Sequence, residues 1–236
     1  MLQDNGPRPR TAVIIPALNE VESIGYVIEQ MPWLLVDECI VVDNGSTDGT
    51  AEAAVRAGAR VVHQPIRGYG RAIRTGIEAA APGTEIFISM DGDGSDIPSQ
   101  LPRLLDPILA GEADFVMGSR LRGARVPGGM NAGQIFAGWL AGVLINNLYR
   151  VRYTDMGPFR AITRHALEQL DMKEETYGWN LEMQMRTAQL KLRILEVPVD
   201  CHPRYGGSPK VAGSLQGSVR AAVRITQTML RVAAQK

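Results

Sequence analysis

From Thr11 to Met117 the chain repeats one unit: a short β-rich apolar run, a polar turn, then a segment with helical capping and spacing. Residues 11–15, 38–42, 60–63, 85–90 and 113–117 read as strands. Between them the sequence predicts a helix capped by Asn19 with Glu20 and Glu22 in its first turn. Further helices run from Asp48 to about Ala57, where Gly58 stops it, over 69–80, and from Pro98 or Leu101 to Ala110. Strands joined through helices by such short connections run parallel, so the pattern predicts an α/β fold with an open, doubly wound, mainly parallel sheet. Such sheets bind ligands where the chain leaves the carboxyl ends of the strands.

Three strand ends then stand out. Residues 85–90 lead into Asp91-Gly92-Asp93-Gly94-Ser95-Asp96, three carboxylates in six residues. Like charges this close repel unless a cation or a set of donors compensates them, which points to a divalent metal and a diphosphate. Val42 leads into Asp43-Asn44-Gly45-Ser46-Thr47-Asp48, where Asp43 either accepts from a nucleotide base or ribose or only shapes the turn. Ile15 leads into Pro16-Ala17-Leu18-Asn19-Glu20 with no Gly-rich turn, which disfavours a dinucleotide oxidoreductase; no P-loop motif occurs either. Arg67-Gly68-Tyr69-Gly70-Arg71-Ala72-Ile73-Arg74 opens a helix with glycines and guanidiniums, suited to an anion.

Beyond Gly118 the alternation stops. Residues 119–133 read as a Gly/Arg-rich loop and 135–149 as an apolar helix too short to cross a bilayer, either buried or lying on a membrane. Late strands are predicted at 159–162 and 193–199, with a helix over 179–190 between them and another from Gly213 onward. Net charge is zero, yet charge is segregated. Residues 115–154 hold five arginines and no acid, and 201–236 hold six basic residues and no acid, while all 25 acids lie elsewhere. Basic segments of this kind suit an anionic partner such as phosphates or a membrane face. Low aromatic content, 6%, argues against a nucleic-acid binder. Cys39 and Cys201 are too few for a disulfide framework, and residues 1–10 lack an apolar segment, so a cytoplasmic protein without a secretory signal is expected.

Taken in order, Ile15-Pro16-Ala17-Leu18-Asn19-Glu20, Val42 to Thr50 and Asp91-Gly92-Asp93 resemble the inverting, family 2 nucleotide-sugar glycosyltransferases with the GT-A fold. Gly118-Ser119-Arg120, Thr154-Asp155-Met156-Gly157-Pro158-Phe159-Arg160 and Arg204 to Lys210 narrow the resemblance to dolichyl- or polyprenyl-phosphate sugar synthases. The similarity covers about residues 10–212. It departs at Gly94-Ser95-Asp96, where relatives often carry Gln, and at Pro158, where they usually carry Gly.

The resemblance implies a single GT-A-like domain: 10–118 binding the nucleotide-sugar, 119–212 the acceptor, and 213–236 a basic helix. Pro16, Ala17, Glu20 and Asp43 would line the nucleoside pocket, with Gly70 and Arg74 beside base and ribose. Asp91 and Asp93 would hold Mg²⁺ or Mn²⁺. Arg120, Arg204 and Lys210 would clamp phosphates, with His202 assisting. The expected reaction moves a sugar to a polyprenyl phosphate, at most peripherally bound to the membrane. A hydroxyl acceptor on a soluble molecule or glycan would instead need Asp155 or Glu182 as base; the other reading of each carboxylate is that it only pairs with arginines. A sugar-1-phosphate nucleotidyltransferase is a further alternative, disfavoured because residues 16–20 lack a Gly-rich triphosphate loop.

Overall fold

The computed structural model describes residues 8–124, 126–130, 132–207 and 215–235. Its strands are β1 (Arg10–Ala17), β2 (Glu38–Asp43), β3 (Arg60–His63), β4 (Thr84–Ser89), β5 (Phe115–Ser119), β6 (Arg160–Thr163) and β7 (Ile194–Pro198). Its helices are α1 (Ile24–Glu29), α2 (Thr50–Arg56), α3 (Tyr69–Ala79), α4 (Leu101–Leu109), α5 (Ala132–Tyr149), α6 (Arg164–Gln169), α7 (Trp179–Gln189) and α8 (Leu215–Ala233). One seven-stranded sheet runs in the order β3-β2-β1-β4-β6-β5-β7. All pairings are parallel except those of β6, which runs against both β4 and β5. The mainly parallel α/β sheet predicted from the alternation is therefore present, with one reversed strand inserted.

Both faces of the sheet are covered, as parallel strands apolar on both sides require. Val13, Ile15, Val41, Ile86 and Ile88 face α1, α2 and α4 through Val27, Ala54 and Leu104. Ala12, Ile14, Ile40, Val42 and Phe87 face the other way, toward Ala72, Ile73, Ile145, Leu181 and Met183. Fully burying each such aliphatic contributes about 1.5–3 kcal/mol. Gly76 lets α3 lie directly on β1 and β2, because a Cβ there would collide with Ile14 Cγ2 and touch Val42 Cγ2 at 3.0 Å.

Two local expectations shift. Asn19 does not cap a helix: it adopts a left-handed φ of 52°, its Oδ1 accepts from the Thr47 N–H at 2.9 Å, and α1 begins five residues later. Asp48 accepts from the Thr50 N–H at 3.0 Å, but the residue at the helix start is Gly49, at φ 91°.

The reversed strand organises the functional edge. The chain leaves β1, β2, β4, β5 and β7 at one edge of the sheet and enters β6 there. Residues 16–20, 43–50, 90–96, 119–120, 154–159 and 199–207 therefore gather on one side.

Candidate active site

The loops after β1, β2 and β4 are stitched together by short side chains. Asn19 N donates to Ser46 Oγ at 3.0 Å, Glu20 N to Thr50 Oγ1 at 2.8 Å, and Ser23 Oγ to the Gly92 carbonyl at 2.9 Å. Asp43 Oδ1 accepts from Ser46 N at 3.1 Å, and its Oδ2 lies 3.2 Å from His63 Nδ1. Asn44 pins the 64–68 loop by donating to the Gln64 and Ile66 carbonyls and accepting from Gly68 N.

The acidic hexapeptide is tightly folded on itself. Asp96 Oδ2 accepts from Asp91 N at 2.9 Å, and Asp93 Oδ1 accepts from Ser95 N at 2.9 Å and Ser95 Oγ at 2.6 Å. Burial, then the charges of Asp93 and Asp96, push the Asp91 carboxyl well above the usual carboxylate range. Burial likewise pushes Asp96 up to about 7. Burial and crowding thus disfavour ionisation of both carboxyls unless positive charge is brought to them.

What compensation exists comes from the second half of the chain. Arg204 Nη1 donates to Asp93 Oδ2 at 2.6 Å and its Nη2 to Glu20 Oε1 at 2.6 Å, so one guanidinium joins the first and third loops. Tyr205 N donates to the Asp93 carbonyl at 2.9 Å, and His202 N to the Ser95 carbonyl at 3.1 Å. The Tyr205 ring stacks on Tyr26, centroids 4.3 Å apart. Gly94, at φ 82°, makes room: a Cβ there would sit 2.9 Å from Tyr205 Cβ.

Arg120 is the second guanidinium, and its charge acts on both Asp91 and Asp96. It is held by a fork: Nε to Asp155 Oδ2 at 2.8 Å and Nη2 to Asp155 Oδ1 at 3.0 Å, with Arg120 N on Oδ2 at 3.0 Å. Asp155 is fully buried. Burial alone would raise its pKa, but hydrogen bonds and charge from Arg120 outweigh that and hold it below the ordinary range. Glu196 on β7 sets this pair in place, accepting from Thr154 N at 2.9 Å, Thr154 Oγ1 at 2.8 Å and Asp155 N at 3.2 Å.

Glu20, Asp91, Asp93, Asp96, Arg120 and Arg204 thus form one cluster of acids and guanidiniums at the carboxyl edge of the sheet. The model of the family described as "Glycosyl transferase family 2" matches residues 12–171, which contain every loop of that cluster except the one bearing Arg204. The chain belongs to glycosyl transferase family 2. Among relatives of this glycosyltransferase is an undecaprenyl-phosphate mannosyltransferase of Micrococcus luteus, 32% identical over 237 residues, spanning 92% of this chain and 93% of that protein. Another is a dolichyl-phosphate hexose transferase of Haloferax volcanii, 32% identical over 198 residues, with 83% and 84% covered. A crystal structure of glucosyl-3-phosphoglycerate synthase from Mycobacterium tuberculosis, with Mn²⁺, UDP-glucose and phosphoglyceric acid, matches with a TM-score of 0.78 at 26% identity. It covers 96% of this chain and 80% of that one.

The remaining expected residues of the glycosyltransferase have the following surroundings. Glu182 is fully buried on α7, its oxygens accepting from Lys173 N at 2.9 Å, Glu174 N at 2.6 Å and Arg186 Nε at 3.0 Å. It ties the 173–174 turn to its helix. Gly70 packs where a Cβ would meet Trp179 Cε3 at 2.9 Å, and Arg74 donates to the Met172 carbonyl at 3.1 Å, so both brace α3 against residues 172–179. Pro16 and Ala17 end β1 beside Asp43 at the functional edge, Ala17 pairing with Asp43 in register. His202 contributes its backbone N–H; Lys210 lies outside the described residues. Sequence reasoning gave no role to Glu196 or Arg160. Arg160 is a buried guanidinium, lowered to about 10 by burial, that donates to the Gly157 and Asn180 carbonyls. Its place in the quoted 154–160 motif was the available signal.

Proposed function

We propose that this enzyme transfers a sugar, with inversion, from a nucleoside-diphosphate sugar to a polyprenyl phosphate at the cytoplasmic membrane face. The observation that carries the reading is the commitment of Asp155 to Arg120. A carboxylate buried, forked to a guanidinium and depressed in pKa is a poor proton acceptor, and Glu182 is equally engaged. An acceptor that arrives ionised needs no base: a phosphate oxygen bonds to the anomeric carbon while the bond from that carbon to the donor's β-phosphate oxygen breaks. The names of the relatives from Micrococcus luteus and Haloferax volcanii support the same acceptor class. The hydroxyl-acceptor alternative lacks a free carboxylate of the expected kind.

Asp91 and Asp93 fit a hard divalent cation, Mg²⁺ or Mn²⁺: both are oxygen donors, and the burial of Asp91 and its crowding by Asp93 and Asp96, which raise its pKa, are penalties on its ionised form that a cation would offset. Bound there, the cation supplies charge compensation for the departing nucleoside diphosphate. Arg120, oriented by Asp155, and Arg204, bridging Glu20 and Asp93, hold phosphate oxygens near that same edge. Asp43 fits recognition of the base.

α5 supports the membrane contact. Phe136, Trp139, Leu140, Leu144 and Leu148 are all exposed on one stripe of an acid-free helix, and Arg150 and Arg152 follow it. Among the described residues no helix is long and apolar enough to cross a membrane. An apolar stripe flanked by arginines suits the interface of an anionic leaflet.

The test is incubation with radiolabelled UDP-, GDP- and CDP-sugars, polyprenyl phosphate and Mg²⁺ or Mn²⁺. Label should enter the organic phase and stay in water when chelator is added. Label moving only to water-soluble acceptors would overturn the acceptor assignment.

A further inference from the structure

Both carboxylate oxygens of Asp93 are already engaged. Oδ1 accepts from Ser95 N at 2.9 Å and Ser95 Oγ at 2.6 Å, and Oδ2 accepts from Arg204 Nη1 at 2.6 Å. The Ser95 contacts are local and shape the turn. The Arg204 contact joins residues 111 apart in the chain. Through Nη2 the same guanidinium holds Glu20 Oε1 at 2.6 Å. The side chains of Arg204, Asp93 and Glu20 are 21%, 13% and 8% exposed, so solvent and salt screen these pairs less than they screen surface pairs.

A divalent cation and this guanidinium compete for one oxygen. A metal bound to Asp93 Oδ2 lies roughly 2.1 Å from it, and Arg204 Nη1 lies 2.6 Å from it. The two cations are then no more than about 5 Å apart, where like charges in a shielded site repel strongly. Among the described residues no group of three or more His, Cys, Asp or Glu side chains is placed to hold an ion. A metal held through one or two carboxylates takes its other oxygens from water and phosphates. Those phosphates give a displaced guanidinium a new anion to fork.

The backbone beside Arg204 is fastened without the help of its side chain. His202 N donates to the Ser95 carbonyl at 3.1 Å, Tyr205 N to the Asp93 carbonyl at 2.9 Å and Gly207 N to Glu22 Oε2 at 3.0 Å. The Tyr205 ring stacks on Tyr26. An exchange at Asp93 therefore needs only the Arg204 side chain to turn, with residues 202–207 staying in place.

Resting on the glycosyltransferase reading, we infer that Arg204 is a stand-in counter-ion. In the ligand-free enzyme its Nη1 neutralises Asp93; the arriving metal displaces it, and the guanidinium, still held to Glu20 through Nη2, turns to the donor's phosphate oxygens. Metal alone must expel Arg204 with no anion to receive it, and donor alone finds the guanidinium occupied. Each ligand thus removes an obstacle to the other, and the two bind with positive coupling.

The test measures Mn²⁺ binding by electron paramagnetic resonance, with and without UDP or GDP, in wild type, Arg204→Met and Arg204→Lys. Met keeps the length and drops the charge; Lys keeps a charge but lacks the fork that spans both acids. Without nucleotide, Arg204→Met should bind Mn²⁺ about tenfold more tightly than wild type, with Arg204→Lys between them. The ratio of Mn²⁺ affinities with and without whichever nucleoside diphosphate binds wild type should fall about tenfold in Arg204→Met. Metal-free Arg204→Met should melt below wild type, and saturating Mn²⁺ should raise its Tm by more, because the ion replaces the missing counter-ion.

A residue that only braces the loop would loosen Mn²⁺ when removed. Equal or weaker Mn²⁺ affinity in Arg204→Met therefore overturns the inference, as does an unchanged ratio; if Arg204→Met does not fold, the same comparison on Arg204→Lys decides. No Mn²⁺ binding to any of the three proteins would remove the metal from the proposed reaction and this exchange with it. Failure of the acceptor reading shows separately, as a missing lipid-linked product, and leaves these Mn²⁺ affinities as they are.

Discussion

Asp155→Asn offers the sharpest separation between a base and a positioning carboxylate. In the native protein Oδ1 accepts from Arg120 Nη2 and Met156 N, and Oδ2 accepts from Arg120 N and Nε. Whichever way an asparagine amide is turned, its NH₂ faces two donors, so two hydrogen bonds are lost and two N–H groups are opposed. The Asp155 side chain is 0% exposed and that of Arg120 is 16% exposed. Removing one partner of a buried pair costs about 3–5 kcal/mol, and the residual access of Arg120 to water favours the lower end. For a chain of this size each kcal/mol moves Tm by about 2–4 °C, so the variant should melt about 6–12 °C below wild type at neutral pH.

The pH dependence carries a definite sign. The folded pKa of Asp155 lies below its ordinary 3.8, so its contribution is complete above that pH and is lost as pH falls through the folded value. The melting gap between wild type and Asp155→Asn should therefore be full above about pH 5 and shrink under acid. Transfer activity should fall about 100-fold, as when one preorganised donor to a developing anion is removed. Arg120→Gln/Asp155→Asn should be little worse than Arg120→Gln alone, because the two residues act as a unit. Additive losses in the double variant, or a Tm shift under 1 °C, would refute the positioning role.

Asp91 and Asp96 give the opposite sign: their folded pKa values are raised, so metal-free protein should lose stability as pH climbs from the carboxylate range through about 7, and Asp91→Asn should flatten that decline in chelator while abolishing the Mn²⁺-induced rise in Tm. Replacing Phe136 and Trp139, 60% and 52% exposed, by Glu should leave folding stability within about 0.5 kcal/mol while removing co-sedimentation with anionic vesicles. Gly76→Val should cost about 1–3 kcal/mol in chemical denaturation by forcing α3 off Ile14 and Val42.

The first half of the sheet could be read from the chain because its determinants are local. β1, β2 and β4 are apolar runs that end at acids or turn residues, and the ends of β1, β2 and β4 align as parallel neighbours. Pairing of Asp155 and Glu182 with arginines is one of the two roles legible in the sequence; which arginine each carboxylate meets could not be read where the partner is distant in sequence. Asp155 meets Arg120 across 35 residues and Asp93 meets Arg204 across 111. Gly70 and Arg74 look the same in sequence whether a glycine-rich turn receives an anion or a helix packs closely. The close seating of Gly70 on Trp179 is a contact between residues far apart in sequence, and it too could not be read from the chain.

The reversal of β6 explains why the segregated charges meet. β4 and β5 leave the sheet at the same edge, carrying Asp91 and Asp93 from one and Arg120 from the other. Because β6 runs antiparallel between them, the residues that precede it, 155–159, lie at that edge as well. Were β6 parallel, the same residues would enter from the opposite edge. A four-residue strand spans only about 13 Å, but that separation exceeds the reach of an Asp155 carboxylate to the Arg120 guanidinium. The acid-free stretch 115–154 could then supply a guanidinium but not the carboxylate that aims it. A single antiparallel insertion, invisible in the alternation that predicts the rest of the sheet, thus delivers an oriented cation to the acidic loop after β4.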